Sequence, residues 1–168
     1  MPAHAATLTR VIENVTMNMK MNSEKYRVLV LCTGNSARSQ MAEGLINARL
    51  PDRFEAHSAG TQPTGRVHPE AIAAMKEIGI DISQQQSKSM NEFIGQAFDI
   101  VITVCDDAAE NCPVWLGQGQ RVHIGFADPA AAPRAQQPQQ VRDVRDAISA
   151  QLLTYLQDWQ PEAERRKT

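Results

Sequence analysis

Two periodicities alternate along the chain. Short apolar runs of strand length are each followed by segments whose apolar residues recur every three or four positions, the spacing of one helix face. "YRVLVL", residues 26–31, is the first strand, and Met41, Leu45 and Ile46 mark a helix over residues 39–50. "FEAHSAG", residues 54–60, reads as a second, weaker strand. "HPEAIAAMKEIGI" predicts a helix beginning at His68, with Pro69 in its first turn and Gly79 at its end. "DIVITVC", residues 99–105, is a β-branched run of the kind buried on both sheet faces, and "RVHIGF", residues 121–126, is a fourth strand. An amphipathic stretch from Gln140 to about Trp159 makes a closing helix, and "ADPAAAPRAQQPQQ" before it reads as loop. This alternation predicts a single α/β domain over residues 25–168: a four-stranded parallel sheet with helices on both faces. Residues 1–24 read as an N-terminal extension, with a short helix around residues 5–15.

Composition narrows the partners. Of the 168 residues, 42% are hydrophobic and 21% charged, enough to bury a core, and a net charge of −2 with a pI near 6.1 gives no basic face for nucleic acid or an anionic membrane. No run approaches the roughly 18 apolar residues of a membrane span. Residues 1–24 lack the basic start and apolar core of a secretory signal, so a cytoplasmic location is expected. A cytosolic chain with three cysteines cannot pair them all and keeps few structural disulfides, which leaves catalysis, metal binding or inert burial open. The C-x6-C pair with scattered His57, His68 and His123 lacks zinc-ligand spacing, so no metal is expected.

The first strand hands over to its helix through "CTGNSARS", residues 32–39. A loop bending at Gly34 and Asn35, both tolerant of left-handed backbone, can turn successive N–H groups inward as an anion-binding nest, and the following helix adds its positive end. Arg38 supplies a planar fork for two oxygens of a tetrahedral oxyanion. Such surroundings favour the thiolate of a cysteine, so Cys32 reads as a nucleophile held against a bound oxyanion. In open α/β sheets ligands sit beyond the carboxyl ends of the strands. Cys32 follows the first strand, Cys105 ends the third and Asp128 follows the fourth, so these groups are expected to converge on one edge.

"CTGNSARSQMAEG" resembles the phosphate-binding loop of the low-molecular-weight tyrosine phosphatase superfamily. "SAGT", "HPEAIAAMKEIGIDIS", "FDIVITVCDDAAENCP" and "GFADPA" resemble its thioredoxin-coupled arsenate reductase branch. The resemblance implies an oxyanion loop of Thr33, Gly34, Asn35, Ser36, Ala37, Arg38 and Ser39 around the nucleophile Cys32. Arg38 would clamp the oxyanion, Asn35 would shape the loop and Ser39 would donate to the thiolate. Asp128 would be the general acid, and Cys105 then Cys112 the second and third thiols of a redox relay. It further implies reduction of arsenate to arsenite in arsenic detoxification, by a monomer with no bound cofactor. Electrons would come from thioredoxin and, through thioredoxin reductase, from NADPH; a low-molecular-weight thiol with a glutaredoxin-like partner is the alternative donor. Phosphate and sulfate would compete for the loop.

The chain departs from its relatives in places. Ala37 stands where relatives usually carry a further cysteine, so every thiol present has a relay role. Some relatives hold a monovalent cation by a glutamate and a serine, matched by Glu43 and Ser58, and by two further residues replaced here by Gln86 and Lys88. A lysine there is expected to repel potassium or to replace it by pairing with Glu43. The alternative enzyme, a low-molecular-weight protein tyrosine or arginine phosphatase, shares Cys32, Arg38 and Asp128, yet tyrosine phosphatases typically follow Asp-Pro with an aromatic residue and here Ala130 follows. A purely oxyanion-binding module would need neither Asp128 nor the extra cysteine pair. In "CDDAAENCP", an Asp N-cap, helix-favouring Ala and Glu, and Pro113 predict a short helix in the reduced segment. A helix would hold Cys105 and Cys112 roughly 10 Å apart, beyond disulfide reach.

Overall fold

The computed structural model describes residues 24–106 and 112–165. Strands β1 (Tyr26–Cys32), β2 (Phe54–Gly60), β3 (Ile100–Thr103) and β4 (Gln120–His123) form one sheet in the order β2-β1-β3-β4. Every pairing is parallel, with Cys32 opposite Gly60 and Thr103 opposite both Leu31 and His123. Helix α1 (Arg38–Arg49) follows β1, α2 (Pro69–Glu77) follows β2, and α3 (Gln137–Asp158) and α4 (Glu162–Arg165) end the described chain. The strand order reverses direction between β1 and β3, which opens a crevice beyond their carboxyl ends.

Alternation along β1 separates two cores. Val28, Val30 and Cys32 face the larger one, with Met41, Leu45 and Ile46 of α1, Ala71 and Met75 of α2, and Val141, Ile148 and Leu152 of α3. The apolar residues of α3 recur at helical spacing, and truncating fully buried Ile148 or Leu152 to alanine removes about 2–5 kcal/mol. Leu29 and Leu31 face the smaller core, with Val101, Phe93, Phe98 and Trp115. The three longer helices thus share one face, and on the other, among the described residues, the helical cover is a 3-10 turn, Met90–Phe93. Phe98 joins the aromatic side chains there, edge-on to Phe93 at 5.8 Å and to Trp115 at 6.0 Å.

The expected strands and helices are present, with shifted boundaries. His68 caps α2, its Nδ1 accepting from Glu70 N–H at 3.1 Å, and Gly79 after the helix has φ +79°. β3 stops at Thr103, two residues before Cys105. β4 stops at His123, although Ile124 N–H still donates to the Thr103 carbonyl at 2.9 Å and Phe126 N–H to the Val104 carbonyl at 3.1 Å; a Cβ added at Gly125 would stand 3.0 Å from the Cys105 carbonyl. Helix α3 begins at Gln137, inside the segment expected as loop, since a proline in its first turn needs no N–H partner. The 3-10 turns and α4 leave no periodicity long enough to read. The expected helix at residues 5–15 lies outside the described residues, as does most of the one at 106–112. None of the described helices is long and apolar enough to cross a membrane.

Candidate active site

Cys32 ends β1 at 2% exposure, beneath the loop that leads into α1. Its Sγ accepts from Asn35 N–H at 3.2 Å and lies 2.9 Å from Ser39 Oγ. Asn35 has φ +45°, left-handed backbone that asparagine tolerates better than most residues. Gly34, equally tolerant of left-handed backbone, does not adopt it; a Cβ there would meet Thr64 Cγ2 at 3.2 Å.

The Asn35 side chain organises what surrounds the sulfur. Its Oδ1 accepts from Lys88 N–H at 2.7 Å and from Gln40 Nε2 at 3.0 Å, which fixes the amide orientation. Its Nδ2 then donates to Ser39 Oγ at 2.8 Å and Ser58 Oγ at 2.9 Å. Ser39 Oγ, accepting from Asn35, has its own proton for Cys32 Sγ. Ser58 donates to Glu43, whose carboxylate lies 3.6 Å from Lys88 Nζ, and the same ammonium donates to the Gln86 carbonyl at 2.9 Å. The lysine thus stands as a built-in cation among the positions where relatives were expected to hold a metal ion.

Two features here escaped sequence reading. Gly60 admits the loop against β2, because a Cβ would stand 2.4 Å from the Thr33 carbonyl and 3.0 Å from Asn35 N. The available signal was a glycine after two small residues at a strand end. Among the described residues, Thr33 Oγ1 is the buried side-chain oxygen with no hydrogen-bond partner.

Arg38 opens α1 at 4% exposure, with Nη1 donating to the Phe126 carbonyl at 3.2 Å and Nη2 3.8 Å from Asp128 Oδ1. Asp128 also caps its Asp-Pro turn, accepting from Ala130 N–H at 3.0 Å, so the turn and the site use one carboxylate. Cys32, Ser36, Arg38, Arg66, His68 and Asp128 line a pocket of about 460 Å³. Its lining is cationic and hydrogen-bonding, suited to a small tetrahedral oxyanion beside a nucleophilic sulfur.

Cys105 does not line this pocket. It is fully buried just past β3 and joined to half-buried Cys112 by a disulfide, with Cα atoms 5.8 Å apart, while Cys32 is a free thiol. That separation is well short of what a helix between the two cysteines would give. Beyond the bond, Trp115 is buried while Val114 and Leu116 are 70% and 88% exposed. His123 comes within reach of the pair: both sulfurs and one ring nitrogen lie within 4.8 Å of one another. With the sulfurs bonded to each other, the trio is not a thiolate ligand set for a metal. Spacing along the sequence could not reveal it, because the β3–β4 register brings His123 there.

A buried thiol beneath a loop whose Asn35 N–H points at its sulfur, a buried arginine and an acid on the facing turn define a cysteine-based oxyanion-transfer enzyme. The chain belongs to the low molecular weight phosphotyrosine protein phosphatase family, whose profile matches residues 27–164. It is 45% identical to an arsenate reductase of Halalkalibacterium halodurans over 130 residues, covering 76% of this chain and 93% of that protein. It is also 45% identical to arsenate reductase 1 of Staphylococcus epidermidis over 132 residues, covering 79% and 96% of the two chains. Among solved structures it is similar to an arsenate reductase in the phosphate-binding state, with a TM-score of 0.62 and 32% identity over 77% of this chain and 95% of that one.

Proposed function

We propose that this protein reduces arsenate to arsenite through Cys32, Cys105 and Cys112, in arsenic detoxification, and is regenerated by thioredoxin. One observation carries the reading: Cys32 is a free thiol in the oxyanion pocket while a separate disulfide joins Cys105 to Cys112. A phosphatase needs one cysteine. Three are needed if two electrons must be delivered and the oxidised pair then moved away from the pocket.

The nest and Arg38 hold arsenate with its arsenic facing Cys32 Sγ. Sulfur attack forms an S–As bond as one As–O bond breaks, and Asp128 protonates the departing oxygen so that water leaves. Cys105 thiolate then attacks Cys32 Sγ, forming the Cys32–Cys105 bond. The S–As electron pair stays on arsenic, which departs as arsenite. Cys112 thiolate next attacks Cys105 Sγ and expels Cys32 as thiolate, stabilised by Ser39 and the Asn35 amide. The Cys105–Cys112 disulfide with free Cys32 corresponds to the end of this sequence.

A dithiol reductant must break that bond from outside. Cys105 is sealed from solvent and Cys112 is half-buried, so attack on Cys112 Sγ is the accessible route. Exposed Val114 and Leu116 beside it offer apolar surface to a docking protein such as thioredoxin. The test is NADPH oxidation with arsenate, thioredoxin and thioredoxin reductase, repeated with glutathione and glutaredoxin. Arsenate-dependent oxidation in the first mixture and not the second is expected; the reverse would assign a different donor, and oxidation in neither would refute the activity.

A further inference from the structure

We propose that His123 is the proton donor to Cys105 Sγ when the Cys105–Cys112 disulfide is reduced. The inference rests on the relay reading for its biological reductant, and on geometry for the rest.

Attack on Cys112 forms a mixed disulfide there, breaks the Cys105–Cys112 bond and leaves the electron pair on Cys105 Sγ. That sulfur is fully buried, and a thiolate formed away from water is costly. Thiol–disulfide exchange is faster the better the departing sulfur bears its charge, so a proton delivered there speeds bond breaking. His123 is the ionisable side chain beside it, with a ring nitrogen within 4.8 Å of both sulfurs, close enough to pass a proton through one water or directly once the disulfide opens. Its Nδ1 is 2.7 Å from Thr103 Oγ1, directly across the β3–β4 pair, which fixes the ring. A Cβ added at Gly125 would lie 2.8 Å from His123 Nε2 and 3.0 Å from the Cys105 carbonyl, so the imidazole and Cys105 pack against the same glycine. In the imidazolium, Nδ1–H donates to Thr103 and Nε2–H carries the proton to be given.

The step balances. Reductant thiolate and imidazolium become a mixed disulfide at Cys112, a Cys105 thiol and neutral imidazole. The reductant's second thiol, deprotonated, then attacks its own mixed-disulfide sulfur and releases Cys112 thiolate, so the dithiol is oxidised and the protein disulfide reduced by two electrons. His123 is exposed and takes a fresh proton from water. The charged residues closest to this group along the chain are Arg121, which donates to the Trp115 carbonyl at 2.9 Å, and Asp106, next to Cys105.

The test measures two rates on each variant. One is reduction of the disulfide in the oxidised protein, by excess dithiothreitol and by thioredoxin; the other is arsenite release in a single turnover of the pre-reduced protein. For His123→Gln the ratio of the first rate to the second should fall about a hundredfold, with the thioredoxin KM unchanged. The pH profile of reduction should change from one that levels off to one that climbs steadily with reductant thiolate. Free imidazole should restore part of the rate to His123→Ala, which guards against a merely structural loss. Thr103→Val should show a smaller fall. An unchanged ratio and pH profile in His123→Gln would overturn the proposal, as would an equal loss in both rates. If dithiothreitol reduction depends on His123 while thioredoxin does not reduce even the wild-type protein, the proton-donor role stands and the thioredoxin reading fails.

Discussion

The two ends of the chemistry are built differently. Around Cys32 the polar groups are buried and held: the Asn35 side chain alone bonds to Ser39, Ser58, Gln40 and Lys88. Around Cys112 the chain is tied by a covalent bond and by Trp115, and large apolar side chains face solvent. The first arrangement is preorganised, with dipoles fixed before substrate arrives. The second leaves surface for a partner. Oxyanion chemistry and electron supply thus sit at separate places, and Cys105 is the thiol that must serve both.

Several changes should break or sharpen that contrast. Cys32→Ser should abolish arsenite formation, since no other group in the pocket can form the S–As bond; any arsenate-dependent turnover, followed by arsenite production, would contradict this. Asn35→Gly keeps the left-handed backbone and removes the side-chain bonds. It should lower kcat/KM for arsenate by roughly ten- to a hundredfold and cost about 2–4 kcal/mol of stability in denaturant melts, while dithiothreitol reduction of the disulfide stays near the wild-type rate. Slow hydrolysis of a small aryl phosphate should depend on Cys32 and survive Cys112→Ser, because phosphate shares arsenate's shape and charge and hydrolysis uses the pocket alone. The smallest effect concerns the Lys88–Glu43 pair: exchanging potassium for sodium should leave activity and Tm unchanged, and a potassium-specific rise in both would show that the ammonium does not fill that role.

Much of this was legible in the sequence, because strand and helix periods and the "CTGNSARS" loop are local signals. The convergence of Cys32 and Asp128 on one pocket followed from parallel topology and the place of Arg38 from its loop, whereas Cys105, expected at the same edge, does not line that pocket. Other features depend on register or on atoms beyond the local chain. His123 reaches the disulfide through its pairing with Thr103, Gly60 matters because the Thr33 carbonyl passes over it, and Cys105 is withdrawn from the pocket into its bond with Cys112. The start of α3 was misplaced because a Pro- and Gln-rich stretch reads as loop unless the proline is recognised as a first-turn residue.

The relay order is tested most directly by peptide mapping of Cys112→Ser after reduction, removal of reductant and addition of arsenate. One arsenite should be released per enzyme, and mass spectrometry should find Cys32 joined to Cys105. Sustained turnover with thioredoxin, or a product in which Cys32 and Cys105 are both free, would contradict the account.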